Sequence, residues 1–187
     1  MVFFFIRKGN FIMKINNGFK CFEQDQFGNL YALFIDKDNA MPIGKWLQAE
    51  IVPTKGFSAR PGFHVGQIAD CPWIKGYDGT DVGCYKGRRK GWKRVFAEVE
   101  YIAENDYTET VKNLPGKCLK NELPLNGYYF FKETGCNRIW VICDKMRIVR
   151  VLSEEERQKI LKNDNYDEVA AYAKYKTALE KRKKIAM

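Results

Sequence analysis

One stretch limits the fold more than any other: KRVFAEVEYI, Lys93 to Ile102. Val95, Ala97, Val99 and Tyr101 alternate with Phe96, Glu98 and Glu100. A period of two sends successive side chains to opposite faces, so this is a strand with one apolar and one mostly acidic face. A strand of that kind belongs to an antiparallel sheet laid over a core.

The chain offers it several neighbours. GFKCFE and LYALFID read as strands around the turn-like stretch QDQFGN, with Gly28 and Asn29. The segment from Ala40 to Val65 is rich in proline and glycine and must run mostly extended, with corners. GYYFFK, NRIWVICD and MRIVRVL read as three more strands. Gly135 and Asn137 separate the first two, and Asp144 with Lys145 reads as a two-residue hairpin turn between the last two. ENDYTETVKNLPG reads as a short helix stopped by Pro115 and Gly116.

At Ser153 the pattern changes. SEEER is a capping box, in which Ser153 caps the amide three residues on and Glu156 reaches back. A helix to about Lys162 is predicted, broken by NDN. A second follows from about Tyr166, with Val169, Tyr172, Tyr175 and Leu179 on one face. The expected architecture is α+β: residues 1–152 form a β-rich core of mostly antiparallel sheet with one short helix, and residues 153–187 form a C-terminal helical hairpin. At 187 residues the chain is long enough for one domain with its own core. The apolar start, Val2 to Ile6, is too short for a membrane span and its charges follow rather than precede it. It reads as a first strand, or residues 1–12 are a dispensable extension with Met13 as the true start. No membrane association is expected.

The net charge of +9 is local. Lys86, Arg88, Arg89, Lys90, Lys93 and Arg94 crowd one stretch without an acid, and KRKK at Lys181–Lys184 forms a second run. The rest of the chain is nearly neutral. The first run suits phosphate, nucleic acid or an acidic protein, and Trp92 within it supplies a ring for stacking on a base. It also reads as a solvated loop entering a strand. The tail reads as cations at the negative end of a helix dipole.

The chemistry on offer is narrow. The 6 cysteines form no C-x-x-C pair, and with a single histidine the usual zinc sets are out of reach, so no metal is expected. The cysteines read as buried thiols in a reducing cytoplasm. Phosphate-loop, nucleophile-elbow and zincin motifs are absent, and no cofactor is expected. Any histidine-based catalysis must use His64, with Cys71 seven residues on as its only nearby thiol.

His64 lies in RPGFHVGQIADCPWI. Arg60-Pro61-Gly62 forces a corner, and Gly62 and Gly66 bracket a short extended piece where a ligand or a second backbone can approach. Two readings stand. In one, Arg60 (a fork for phosphate or carboxylate), His64 and Trp73 (a flat face) line a pocket for a nucleotide-like ligand beside Glu98 and Glu100. In the other, His64 packs with Phe63 and Trp73 as a satisfied core residue.

The run PIGKWLQAE, GFSARPGFHVG, RVFAEVEY and RIWVICDKMRIVRVLSEEE resembles a domain of bacteriophages and mobile elements, over roughly Gly18 to Glu156. That resemblance implies a phage-encoded protein of the host bacterial cytoplasm and carries no activity with it. GFH followed by an aromatic residue is also similar to the start of ADP-ribosyltransferase-like domains. That similarity implies His64 at an NAD ribose and a later catalytic glutamate, but the H-G-T/S form is absent and neither Glu98 nor Glu100 is singled out. The expected function is a non-catalytic module for an anionic partner, whether nucleic acid, nucleotide or acidic protein; the alternatives are an NAD-using transferase of the ADP-ribosyl class and an inhibitor of a host defence protein.

Overall fold

The computed structural model describes residues 4–8, 11–51, 61–71, 91–115, 119, 122–132 and 139–185. It is an α+β fold built on one mostly antiparallel sheet. The strands are β1 (Phe4–Lys8), β2 (Phe11–Gln24), β3 (Leu30–Tyr31), β4 (Ala40–Met41), β5 (Trp46–Gln48), β6 (Phe63–Gly66), β7 (Lys93–Ile102), β8 (Asn105–Asp106), β9 (Gly127–Lys132), β10 (Ile139–Cys143) and β11 (Lys145–Val151). The helices are α1 (Thr108–Lys112), α2 (Glu154–Asn163) and α3 (Glu168–Ile185).

The sheet runs β5-β11-β7-β2-β6-β10-β9-β8, with β1 and the β3–β4 pair joined to β2. The alternating segment is β7, and it is central: β2 pairs it along its whole length, from Gln24 opposite Lys93 to Ile15 opposite Ile102. β11 covers its other edge. Ala97, Val99 and Tyr101 are buried in the main core with Phe22, Val65, Val141, Cys143, Met146 and Ile148. Phe4–Lys8 pairs with Ile15–Phe11 as a hairpin.

Asp144 is not a hairpin turn. β10 and β11 are not paired; β10 joins β6 and β9, and β11 joins β5 and β7. One residue separates the two strands in the chain, yet β7, β2 and β6 lie between them in the sheet. The sheet must therefore curl until the end of β10 meets the start of β11, a corner turned by a bend in one long strand. Cys143 and Met146 both point into the main core, so the bend also resets the inside–outside alternation. The carboxylate of Asp144, 2% exposed, accepts hydrogen bonds from the Gln48 side chain and, at 3.0 Å, from the Asn126 amide. Its own main chain bonds Ala49 and Gly127. Turn chemistry suggested a hairpin; long-range satisfaction of a buried carboxylate makes a corner instead.

LYALFID also differs from expectation. Only Leu30 and Tyr31 are strand. Leu33 and Phe34 leave the ladder to pack on a second cluster with Cys21, Phe96 and Leu152, and Asp36 turns the chain at φ 52°.

The C-terminal hairpin begins as the sequence indicates. The Ser153 hydroxyl accepts from the Glu156 amide at 3.1 Å, and the Ser153 amide donates to the Glu156 carboxylate at 2.9 Å. α2 buries Arg157 and Leu161. Cys21, Cys71 and Cys143 are buried thiols. No helix among the described residues is long and apolar enough to cross a membrane.

Candidate functional site

His64 lies in β6, half-buried. Phe63 and Val65 pack into the main core, so alternation puts the imidazole on the opposite face of the sheet. Its cross-strand neighbour there is Ile142, which belongs to a third apolar cluster with Val111, Tyr129 and Phe131.

β6 touches its other neighbour lightly. β2 and β6 share a single paired position, Phe19 opposite Gly66. Beyond it the strands diverge, and the side chain of Lys20 fills the opening. Its Nζ donates to the His64 carbonyl oxygen at 3.0 Å and stands 5.9 Å from the centre of the Phe22 ring. No carboxylate among the described residues pairs with it, and burial pushes the ammonium's pKa below 10.5, against smaller opposing effects of the Cys143, Cys71 and Cys21 thiols. The main chain of the His64 strand is thus completed by a side chain where a sheet would normally supply an amide.

The segment after β6 is held from the C-terminal helices. Arg157, 3% exposed, donates through Nε to the Ala69 carbonyl at 2.8 Å and through one terminal nitrogen to Glu154 at 2.6 Å. Its other terminal nitrogen bonds Glu168 and lies 3.6 Å from Asp70, with the guanidinium 5.1 Å from the Phe96 ring centre. The Tyr166 hydroxyl donates to Asp70 at 2.8 Å. Neither Arg157 nor Asp70 stood out in the sequence, because an Arg in a charged helix and an Asp in a loop carry no local sign of such a contact. Cys71 packs here with Cys21, Ala69, Phe96 and Leu152.

Glu98 and Glu100 are committed elsewhere. Across β7 and β11, Arg147 bonds Glu100 through Nε at 2.9 Å and a terminal nitrogen, and Arg150 bonds Glu98 at 3.0 Å and Glu156 at 2.6 Å. Trp46 stacks over Arg147, 5.0 Å from its guanidinium. The acidic face of the strand is a ladder of cross-strand ion pairs rather than an open carboxylate pair.

The basic stretch meets the described fold at Gly91, Trp92 and Lys93. Trp92 is half-buried, and its ring lies on Tyr31 with centroids 4.5 Å apart and planes inclined 42°. Lys93 is exposed. Arg94 is half-buried in the strand opposite Glu23, which is 6% exposed, so its charge faces a buried acid across the ladder.

Beside them stands the β2–β3 turn. Asp25 organises it: Oδ1 accepts from the amides of Phe27 and Asn29, both at 2.9 Å, and Oδ2 accepts from Asn29 Nδ2 at 2.9 Å and the Tyr31 hydroxyl at 3.2 Å. Desolvation opposes ionisation of Asp25, but the Asn29, Phe27 and Tyr31 donors outweigh it and hold the pKa below 3.8. The ordered turn carries Phe27 outward, 80% exposed. Next to it a groove of about 350 Å³ runs between Gly28, Asn29 and Leu30 on one side and Ala40, Met41, Pro42 and Ile43 on the other.

Of the residues singled out in the sequence, His64, Lys93 and Arg94 are placed by the fold, and they are not brought together: His64 lies in β6 and the two cations at the start of β7. Arg60, Trp73, Lys86, Arg88, Arg89 and Lys90 lie outside the described residues. Among the described residues no group of three or more His, Cys, Asp or Glu side chains could hold a metal ion. No family model, curated protein or solved structure matches the chain.

Proposed function

We propose that the chain is a non-catalytic module that binds an anionic partner, and that the partner is nucleic acid. The observation that carries this reading is the Trp92–Tyr31 ring pair at the point where the basic run joins β7. Cations supply affinity for the phosphate backbone, and aromatic faces beside them favour bases over a merely acidic protein surface. The NAD-using alternative draws nothing from Glu98 and Glu100, whose carboxylates are spent on Arg150 and Arg147. The resemblance of the residue pattern to phage and mobile-element domains suits a protein acting on nucleic acid in a host bacterial cytoplasm.

The test is fluorescence anisotropy with labelled oligonucleotides at several salt concentrations. Neutralising about six phosphates predicts an affinity loss between 50 and 200 mM salt of about 300-fold on a single strand and ~10³-fold on a duplex. Binding that ignores salt, or no binding at 50 mM, overturns the proposal. Retention of acidic proteins without oligonucleotide binding moves the function to a protein partner.

A further inference from the structure

We infer that the surface takes single-stranded rather than duplex nucleic acid, laying an unstacked base against Phe27 and the groove between Gly28–Leu30 and Ala40–Ile43; this rests on the function proposed above and specifies its substrate. Three features of the same end of the sheet meet here. First, the turn is built to hold an aromatic ring in water. Asp25 collects four hydrogen bonds within the turn, Gly28 takes φ 89°, and the Gly28 amide bonds the Asp25 carbonyl at 3.2 Å, all around a Phe27 that is 80% exposed. An exposed ring on a fixed backbone loses little conformational freedom on binding.

Second, the groove beside it is mostly apolar, walled by Met41, Pro42 and Ile43, with Ile43 48% exposed, while the Leu30 side chain, 1% exposed, belongs to the main core. β3 adjoins both features: Leu30 borders the groove, and Tyr31, next in the chain, stacks on Trp92. Third, the charge fits. Gln24 at the end of β2 pairs with Lys93 at the start of β7, so the Phe27 turn and the exposed Lys93 lie at the same end of the sheet.

The chemistry of this surface chooses between strands and duplexes. Flat faces next to cations suit bases that are free to unstack. A duplex hides its base faces, and reading its major groove takes a helix or a ribbon bearing arginine, lysine or amide side chains. The β2–β3 tip puts forward the ring of Phe27, 80% exposed, beside the exposed Gln26, while the Asn29 amide is already bonded to Asp25.

The experiment compares a 15-nucleotide oligothymidylate with a duplex of equal length by fluorescence anisotropy at 50 mM salt. The single strand is expected to bind at least about tenfold more tightly. Phe27→Ala is expected to weaken single-strand binding at least about fivefold, and Ile43→Ser to weaken it in the same direction, with both melting temperatures close to wild type. Leu125→Ala, a 65% exposed residue near the opposite end of β7, is the control and leaves binding unchanged. Equal or tighter duplex binding, or Phe27→Ala at full affinity, overturns the inference while salt-dependent binding still supports the broader function. No binding to either oligonucleotide overturns both.

Discussion

The ammonium of Lys20 lies 3.0 Å from the carbonyl oxygen of His64. It closes the opening between β2 and β6 at a residue that titrates abnormally, because burial disfavours its charged form. In the interval between its folded pKa and 10.5, the unfolded chain holds a proton that the folded chain does not. Stability therefore rises with pH across that interval, and the penalty for the buried charge is fully present below it. Cys143 and Tyr128 pull the other way, since burial pushes both pKa values up, that of Tyr128 to about 12. The readout is therefore a difference. Urea unfolding of wild type and Lys20→Met from pH 7 to 10.5 is expected to show the variant gaining less, or losing more, stability than wild type as pH rises.

Arg157 ties α2, the start of α3 and the segment after β6 into one unit. Replacing it with alanine strands the Ala69 carbonyl and leaves Glu154, Glu168 and Asp70 facing one another. The expected cost is about 3–5 kcal/mol, the range for removing one partner of a buried ion pair, measured by urea unfolding. Glu154→Ala removes a partner whose side chain is 57% exposed and is expected to cost under about 1 kcal/mol. Limited proteolysis of Arg157→Ala is expected to cut in α3 before the sheet.

These two contacts mark the limit of what could be read in the chain. β7 was legible because its alternation is local and its burial follows from it. The capping box was legible because Ser153 and Glu156 are three residues apart. Asp144 was misread because its neighbour Lys145 suggests a turn, while the partner that decides its geometry, Gln48, lies 96 residues away. Lys20, in a strand that reads as aromatic, and Arg157, in a helix that reads as charged, are both fixed by carbonyls distant in sequence: 44 residues away for Lys20, 88 for Arg157. The turn at Gly28 was visible; that it carries an exposed ring beside the basic stretch depended on β2–β7 register, which no local pattern reveals.

Tyr128 and Asp106 provide a test at acid pH. The Tyr128 hydroxyl donates to Asp106 at 3.2 Å, and the Thr108 amide does so at 2.8 Å. Desolvation opposes ionisation of Asp106, but the Thr108 and Tyr128 donors outweigh it and hold its pKa below 3.8. A depressed carboxylate contributes stability above its unfolded pKa and loses it as pH falls from 3.8 through the folded value. Tyr128→Phe keeps the ring contact with Phe130, 5.7 Å away edge-on, and removes only the hydroxyl. Because Asp106 is exposed, the expected cost at pH 7 is only about 1 kcal/mol. The Asp106 pKa, followed by carboxyl NMR, is expected to move up toward 3.8.

Two glycines separate backbone strain from packing. Gly28 sits at φ 89°, and a Cβ there would meet only Gln24 Nε2 at 4.0 Å. Gly28→Ala therefore has room for its methyl group, and its expected cost of about 1–2 kcal/mol is the left-handed backbone alone. Gly18 has no such backbone constraint, but a Cβ there would lie 2.4 Å from Val65 Cγ1 and 2.9 Å from the Gly66 carbonyl oxygen. A carbonyl in a paired strand cannot move aside as a side-chain end can, so the methyl group must push β6 from β2 near the one position where they pair. Gly18→Ala is expected to cost more than Gly28→Ala, about 3 kcal/mol or above, in urea unfolding. Amide hydrogen exchange in Phe63–Gly66 is expected to accelerate in Gly18→Ala and to stay at the wild-type rate in Gly28→Ala. If the two variants cost the same and leave β6 equally protected, β6 does not rest on β2 through that close approach.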